Sequence, residues 1–332
     1  MSNTFITGTI AHKLAVVAST VALTALAASA APAQAGQLHV HTSGPEGFNT
    51  HSVWYDDGQE VTVVDTQFTP ALAEALIADI KRQTRSPITR VVVTHPSPDK
   101  FNALSVFHRE GAQSVASLKT AQAIPQVDAY KRYFWVQIAK SFTEASYPKV
   151  EAVKTTFSGQ TQIKLKSGET LTLTDLPAPG VASSQTVVRF DATGDIAVGD
   201  LVHHNTHAWL EGGIVGGKAA ATLDGWRADL RALAALAPNP NANVYGGRGP
   251  AAHVSAAVTQ QIAYLDRADE IVGRYITALG ERKAELSDPA LQSGHHAALQ
   301  AEFVKAFPSY AMPELVGYSV YGLVQSRLAA AR

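Results

Sequence analysis

The chain has 332 residues, of which 46% are hydrophobic and 17% are charged. That length and balance suffice to bury a sizeable core, in one large domain or in two smaller ones. A formal net charge of -1 and an isoelectric point near 6.9 give no electrostatic reason to expect nucleic acid or an anionic membrane as a partner. We therefore expect neither partner.

Residues 1–35 have the pattern of a secretory signal peptide. Lys13 precedes an apolar run from Leu14 to Ala27, and Ala33-Gln34-Ala35 offers small side chains for cleavage before Gly36. A membrane anchor is less favoured, because the run is shorter than the ~20 apolar residues that cross a bilayer. With no cysteine, the chain forms no disulfide and offers no thiolate ligand. The pattern predicts a periplasmic or secreted protein, without stable membrane insertion, that begins at Gly36.

The next segment predicts a β-hairpin followed by a helix. Strand-like runs at Thr50 to Tyr55 and Val61 to Asp65 flank the turn residues Asp56-Asp57-Gly58. Thr69-Pro70 then provides an N-cap and a first-turn proline, and apolar residues recur at helical spacing as far as Lys81-Arg82. A β-branched run from Ile88 to Thr94 predicts a strand buried on both faces that ends at His95.

The remainder alternates predicted strands with predicted helices. Strands are expected at Gln162 to Lys166, Thr170 to Thr174, Gln185 to Phe190 and Asp195 to Val198. Helices with one apolar face are expected at Leu223 to Leu236 and at Val254 to Leu279, followed past Pro289 by a helical extension that Pro308 and Pro313 interrupt. This mixture predicts an α/β layered architecture.

Three motifs occur at the ends of predicted strands. The run Val91 to Lys100 ends in His95-Pro96-Ser97-Pro98-Asp99-Lys100, which reads HxSxDK. Upstream stands Val63-Val64-Asp65-Thr66, and downstream stands Val198-Gly199-Asp200-Leu201. In this order they resemble three landmarks of the metallo-β-lactamase-like hydrolases: the HxHxDH loop, the buried DTG turn, and the strand that ends in a metal-bridging aspartate.

Two further motifs agree with the resemblance but lack a histidine. Gly180-Val181-Ala182-Ser183 stands where the family has a GHT turn, and Gly247-Arg248-Gly249-Pro250 stands where it has GHGP before a helix. The resemblance covers roughly Phe48 to Leu279. It implies an αββα four-layer sandwich over residues 36–285, with a C-terminal helical extension over 286–332.

The resemblance also implies what the site has lost. In the family, two divalent cations held by imidazoles and carboxylates activate a bridging water and polarise the substrate. At the seven matching positions this chain keeps His95, Asp99 and Asp200, while four histidines are replaced by Ser97, Lys100, Val181 and Arg248. We therefore expect a degenerate site without a two-zinc centre, in which no metal or other cofactor is bound.

Two of the replacements are cations, and this predicts internal ion pairs. A buried carboxylate that has lost its metal is costly unless an ammonium or guanidinium neutralises it. Lys100 and Arg248 are therefore expected to pair with Asp99 and Asp200, although both could instead point into solvent. In the hydrolytic interpretation, His95 is the general base, Lys100 and Arg248 stabilise an oxyanion, and the two aspartates orient them. The substrate implied is a small ester, lactone or amide.

Two alternatives remain open at this stage. A non-catalytic protein could hold a small anionic ligand on Lys100 and Arg248. A mononuclear hydrolase could bind one zinc ion through His95, Asp200 and the segment His203 to His207. His95 could equally form only structural hydrogen bonds.

Other prominent residues receive structural interpretations. The aromatic residues of the segment Tyr130 to Trp135, together with Trp209, could line a pocket, but their helical spacing favours the core. The histidines near the predicted ends of the chain, His39, His41, His295 and His296, are interpreted as solvated.

Overall fold

A computed structural model describes residues 1–4, 36–237, 239 and 241–330. The predicted apolar run and cleavage site of the export signal fall on residues 5–35, which lie outside the described residues. Within the described parts, none of the helices combines the length and the apolar character needed to cross a membrane.

Two six-stranded mixed sheets form the centre of the fold. The first has the order β1-β2-β3-β4-β5-β6 and the second has the order β14-β13-β10-β9-β8-β7, while β11 and β12 form a separate hairpin. The strands of the first sheet are β1 (Gln37–Thr42), β2 (His51–Asp56), β3 (Val61–Val64), β4 (Ile88–Val92), β5 (Gln113–Ser117) and β6 (Thr155–Phe157). The other strands are β7 (Gln160–Lys164), β8 (Thr170–Asp175), β9 (Thr186–Phe190), β10 (Ile196–His203), β11 (Gly213–Val215), β12 (Lys218–Ala220), β13 (Asn243–Arg248) and β14 (Ala252–His253).

Helices cover the outer faces of both sheets. They are α1 (Pro70–Gln83), α2 (Pro98–Phe101), α3 (Leu104–Arg109), α4 (Leu118–Tyr133), α5 (Leu223–Leu236), α6 (Val254–Leu279), α7 (Gln292–Ala306) and α8 (Glu314–Ala330). A π-helical turn, Phe134–Ile138, continues α4. One hydrophobic cluster joins the inner faces of the sheets, and two others join each sheet to its helices. These layers confirm the predicted αββα sandwich.

Local sequence accounts for helix α1. The side chain of its N-cap Thr69 accepts a hydrogen bond from the Leu72 amide, and Pro70 occupies the first turn. The buried residues Ala73, Leu76, Ile77 and Ile80 share one face, as the helical repeat requires. This face packs in the cluster of the first sheet.

The N-terminal hairpin has one more strand than predicted. β1 pairs antiparallel with β2 and forms the edge of the first sheet. As a result the ring of His39 stacks on Trp54 at 3.9 Å, and His41 Nδ1 lies 3.1 Å from an oxygen of Asp79. The interpretation of these two histidines as solvated is wrong, because residues 37–42 pair with β2 as an edge strand and so bring both rings against neighbouring side chains.

The two C-terminal histidines were also misinterpreted. His295 is buried on α7, where Nδ1 lies 2.8 Å from the Tyr275 hydroxyl and Nε2 lies 3.1 Å from Glu285. His296 is half-buried, with its ring 6.3 Å from that of Tyr321. Both histidines face neighbouring helices, because α7 and α8 pack on α6 in the cluster of the second sheet.

Candidate functional site

The predicted site residues meet where several strands end at one edge of the sandwich. His95 follows β4, and Asp99 and Lys100 lie on the short helix α2. Asp200 lies within β10, and Arg248 ends β13, which runs parallel to β10. Neighbouring parallel strands bring their carboxyl ends to the same edge of a sheet. This explains how residues 95 to 248 converge.

Two cations and two carboxylates form a closed group, which we term the ion cluster: Asp99, Lys100, Asp200 and Arg248. Lys100 Nζ lies 2.8 Å from Asp99 Oδ2 and 3.0 Å from Asp200 Oδ1. The Arg248 guanidinium lies 3.0 Å from the same oxygen of Asp99 and 2.8 Å from the same oxygen of Asp200. Each cation therefore contacts both carboxylates, and the predicted internal pairing is confirmed.

Further hydrogen bonds use most of the remaining donors of Arg248. Nε donates to the Phe48 carbonyl at 2.9 Å, and Nη2 donates to Thr50 Oγ1 at 2.9 Å. The Thr50 hydroxyl is itself 3.1 Å from Asp99 Oδ2 and 2.8 Å from the Gly47 carbonyl. The guanidinium is thus fixed from four directions, as its planar arrangement of donors allows.

Burial and opposite charge act against each other in the ion cluster. Burial alone would raise the pKa of Asp99, but the adjacent Lys100 and Arg248 outweigh it and hold the pKa below its usual range. Burial is likewise outweighed at Asp200 by Arg248 and Lys100, so its pKa is also lowered. The pKa of Lys100 is raised, because Asp200 and Asp99 outweigh the effect of its burial. Both carboxylates and both cations are therefore charged at neutral pH.

A glycine is required beside the ion cluster. A Cβ atom at Gly247 would lie 2.0 Å from Asp200 Oδ1 and 3.0 Å from Lys100 Nζ. No side chain fits at that position unless the ion cluster moves. Gly247 therefore lets the backbone of β13 lie close to Asp200, and the next residue, Arg248, supplies a cation that pairs with this carboxylate.

His95 is buried beside the ion cluster, with 1% of its surface exposed. Its Nδ1 lies 2.9 Å from Thr94 Oγ1, which also contacts both oxygens of Asp65 at 2.9 Å. Its Nε2 lies 3.6 Å from Asp200 Oδ2, which is longer than a hydrogen bond. Burial raises the pKa of Asp65 to about 6. The chain Asp65-Thr94-His95 fixes the orientation of the imidazole.

A second charged group covers the cleft, and sequence analysis did not identify it. Lys131, in the last turn of α4, is buried and paired with the buried carboxylate of Glu211. Glu211 also accepts hydrogen bonds from Trp209 Nε1 at 3.0 Å and from the Tyr321 hydroxyl on α8. The Tyr130 hydroxyl lies 2.7 Å from that of Tyr321. These five residues, Tyr130, Lys131, Trp209, Glu211 and Tyr321, are here termed the cleft wall.

No sequence signal pointed to the cleft wall as a unit, because its members are separated by as many as 191 positions in the chain. The aromatic segment that precedes residue 136 was interpreted as core, and this holds for Trp135, which is 6% exposed. It is wrong for Tyr133, which is 62% exposed. The ring of Phe134 packs against that of Trp135, with centroids 4.9 Å apart, whereas Tyr133 lies on the exposed side of α4.

Two small cavities remain between the ion cluster and the cleft wall. One has a volume of about 30 Å³ and is lined by residues that include Phe48, Trp135 and Arg248. The other has a volume of about 20 Å³ and is lined by residues that include His95 and Glu211. Both are lined by Ser97, Lys131, Asp200 and Trp209. Each is large enough for about one water molecule.

Comparison with known proteins agrees with this architecture. Residues 45–248 match the sequence profile of the metallo-β-lactamase superfamily. The chain belongs to this superfamily. A metallo-β-lactamase from Pontibacter korlensis has 20% sequence identity and a TM-score of 0.51, over 69% of this chain and 94% of its own. The metallo-β-lactamase FIM-1 from Pseudomonas aeruginosa, in a mono-zinc form, has 17% identity and a TM-score of 0.50, over 70% of this chain and 90% of its own.

The side chains at the superfamily's ligand positions do not fit a two-zinc centre. Val181 is apolar and 4% exposed, and the half-buried Ser97 offers only a hydroxyl. At the other two substituted positions, Lys100 and Arg248 already occupy contact positions on both carboxylates. Dinuclear zinc sites need imidazoles or further carboxylates at these places.

The segment His203 to His207 does not present its histidines to one point. His203 ends β10 and its Nε2 lies 4.0 Å from Asp200 Oδ1. His207 points into an aromatic group on the C-terminal helices, where its Nδ1 lies 3.2 Å from the Tyr264 hydroxyl. Among residues 1–4, 36–237, 239 and 241–330, no group of three or more His, Asp or Glu side chains is arranged to hold a metal ion.

Proposed function

We propose that this chain is an exported, metal-independent homologue of the metallo-β-lactamase-fold hydrolases, with a cleft that acts on a small ester, lactone or amide. The observation that supports it best is the ion cluster, in which each cation contacts both carboxylates. The ion cluster takes the structural place of the metal centre. Its two positive and two negative charges balance.

The energetics of buried ions support a permanent arrangement. Removal of one partner from a buried ion pair costs about 3–5 kcal/mol, because it leaves an uncompensated charge. A divalent cation between Asp99 and Asp200 would be repelled by Lys100 and Arg248, which are both buried. Metal binding would therefore require the displacement of two well-paired cations.

Hydrolysis by this cleft needs a base, a water and a stabilised oxyanion. In the proposed step, His95 takes a proton from a water molecule as the water oxygen attacks the substrate carbonyl carbon. The donors of Lys100 and Arg248 are engaged by Asp99 and Asp200, so these cations act on the negative charge that develops on the carbonyl oxygen through their electric field and not through direct hydrogen bonds. The proton then passes from His95 to the leaving oxygen or nitrogen as the single bond between the carbonyl carbon and that atom breaks. The cavity of about 20 Å³ beside His95 is suited to the attacking water.

The geometry gives less support to the two alternatives. A small anion has few free donors to bind on Arg248, because four contacts already engage its guanidinium. A single zinc ion held by His95, Asp200 and the segment His203 to His207 has less support, because no three such side chains among the described residues are arranged to hold a metal ion, and His207 lies among aromatic rings.

Metal independence is tested by metal analysis and thermal unfolding. Protein purified without added metal should contain less than stoichiometric zinc, and its melting temperature should be the same with and without EDTA. Metal that binds only the folded protein would add stability that chelation removes. Stoichiometric zinc together with a large fall in melting temperature on chelation would overturn the proposal in favour of the mononuclear hydrolase.

Hydrolysis is tested with chromogenic esters, lactones and amides. The rate with His95→Gln should fall by roughly 10²- to 10⁴-fold, as expected for loss of a general base, and EDTA should leave the wild-type rate unchanged. The exposed His253→Gln variant is the matched control. If the wild type gives no turnover above buffer, or if His95→Gln equals the wild type, the hydrolytic function is refuted.

Export is tested separately by N-terminal sequencing. The apolar run from Leu14 to Ala27 and the Ala33-Gln34-Ala35 site support cleavage before Gly36. Protein recovered from the periplasm or medium should begin at Gly36. Recovery of the intact segment from Met1 to Ala35 on such protein would contradict this part of the proposal.

A further inference from the structure

A surface groove of about 490 Å³ lies next to the cleft, between the turn Phe134–Ile138 and helix α8. Its walls include Tyr130, Phe134, Ile138, Tyr318 and Tyr321. Ile138 is 58% exposed and Tyr318 is 44% exposed. None of the described residues that line it is Asp, Glu, Lys or Arg. The rest of the lining is Pro289, Gln292, Ser293, His296 and Gly317. The volume and the mainly apolar lining are typical of a site for a small molecule.

The groove and the cleft share one layer of aromatic side chains. Tyr130 and Tyr321, which line the groove, belong to the cleft wall. The ring of Tyr318, which also lines the groove, lies 6.0 Å from Phe48 and 6.5 Å from Trp135, and both of these line the larger cavity. Rotation of these tyrosines would therefore join the groove to the cleft.

The backbone of α8 is fixed, so such an opening depends on side chains. A Cβ atom at Gly322 would lie 2.1 Å from the Glu211 carbonyl oxygen. Ser319 Oγ accepts a hydrogen bond from the Leu210 amide at 2.8 Å, and Val320 is completely buried. Tyr321, by contrast, is half-buried and is held in the cleft wall by its hydroxyl group.

We infer that this groove binds the neutral aryl or alkyl portion of the substrate and that Tyr321 is the gate between groove and cleft. The substrate class rests on the proposed function, while the binding of an apolar group does not. A charged group is disfavoured, because the described lining has no Asp, Glu, Lys or Arg, and burial lowers the pKa of His296 and so favours its neutral form. An apolar group is favoured, because it gains affinity from burial against the aromatic rings.

Binding is tested with N-phenyl-1-naphthylamine, a neutral fluorescent probe. The wild type should bind it saturably, and Ile138→Glu should weaken binding at least tenfold by placing a carboxylate in the groove. Ile138 is exposed, so the variant should fold, and its circular dichroism and melting temperature check this. Leu118→Glu is the matched control, because Leu118 is 42% exposed at the start of α4 and does not line the groove.

The gate is tested with Tyr321→Phe and a series of p-nitrophenyl esters. Loss of the hydroxyl should leave the affinity for the probe unchanged, because the probe binds on the groove side of the gate, and should raise kcat/KM for the esters by about tenfold, the equivalent of one hydrogen bond. In the wild type, kcat/KM should rise about fourfold for each added methylene until the groove is filled, as apolar burial predicts. Ile138→Glu should flatten this dependence.

The outcomes separate this inference from the proposed function. If Ile138→Glu abolishes binding of the probe but no ester is turned over, the binding role of the groove is supported and the hydrolytic function is refuted. If turnover requires His95 but depends neither on the chain length of the ester nor on Ile138→Glu, the role of the groove is refuted and the hydrolytic function is retained. If light scattering shows that Ile138→Glu converts a dimer to a monomer, the groove is an interface between copies and the inference is overturned.

Discussion

The ion cluster and the cleft wall are both buried charge networks, yet they differ in construction. The ion cluster has four full charges on α2, β10 and β13, and every charge contacts two of opposite sign. The cleft wall has one ion pair, Lys131 and Glu211, and neutral donors supply the other contacts of the carboxylate. A network of full charges loses several kcal/mol of stability when one member is removed, whereas neutral hydrogen-bond donors that remain on the carboxylate make the loss of stability smaller. The first should therefore be rigid and the second adjustable.

The largest expected effect is the removal of a cation from the ion cluster. Arg248→Ala should lower the free energy of unfolding by about 3–5 kcal/mol, because Asp99 and Asp200 lose a buried partner. The control Arg82→Ala removes a side chain that is 69% exposed and pairs with Asp79, and should cost under about 1 kcal/mol. Urea unfolding measures both. Equal losses in the two variants would contradict the special status of the ion cluster.

An intermediate effect is expected in the cleft wall. Lys131→Met should cost about 2–3 kcal/mol, less than Lys100→Met, because Glu211 keeps its bonds from Trp209 and Tyr321. The double variant with Glu211→Gln should recover most of the loss, since no unpaired charge remains. A loss at Lys131 that equals that at Lys100 would remove the distinction between the two networks.

Acid should act differently on the carboxylates of the ion cluster and on the buried histidines. The pKa values of Asp99 and Asp200 are lowered, so their contribution to stability is present above the unfolded pKa near 3.8 and is lost only as the pH falls through their lower folded values. Burial lowers the pKa of His207 from 6.5 to about 4. The unfolded state therefore binds this proton first, and stability is lost as the pH falls from 6.5 toward 4.

His203 beside the ion cluster behaves in the same way, because burial lowers its pKa to about 3 and its Nε2 lies 4.0 Å from Asp200 Oδ1. His207→Phe should reduce the stability lost between pH 7 and pH 4.5 by about 1–2 kcal/mol, because the variant has no imidazole that the unfolded state can protonate. Urea unfolding at the two pH values tests this, with the exposed His253→Gln as control. An unchanged pH dependence in His207→Phe would show that this imidazole does not titrate in that range.

The smallest expected effect is that of Ser97, which lies between the two networks. As the N-cap of α2 it makes no side-chain capping hydrogen bond, so Ser97→Ala should change the free energy of unfolding by under about 0.5 kcal/mol. Turnover of the chromogenic esters should also remain unchanged, because the proposed nucleophile is water. A loss of turnover beyond tenfold in Ser97→Ala would indicate a covalent serine mechanism instead.

The contrast between the two networks also explains what the sequence could predict. Residues such as Asp200 and Arg248 follow strands in a recognisable motif order, and parallel strands bring their ends together, so the ion cluster was predictable. Lys131 and Glu211 lie outside any motif, and their contact depends on how α4 and α8 pack against the segment after β10. Packing of separate helices leaves no short signal in the chain.

Strand content was predicted well where turn residues bounded an apolar run, as at β8 (Thr170–Asp175). It was missed at β1, which alternates histidines with apolar residues and is an edge strand. The length of β10 was underestimated, because it continues through Asp200 to His203. A site residue inside a strand makes its end hard to locate from polarity alone.

The balanced charge of the ion cluster constrains the routes by which this chain could change. A return toward a metal site would begin with one substitution, such as Lys100→His or Arg248→His. Either change alone removes a partner that contacts both carboxylates, so the intermediate is destabilised before any ion can bind. Because the effects of contacting residues are not additive, only a coordinated exchange of both cations avoids that intermediate. The ion cluster therefore makes each single substitution toward a metal site destabilising.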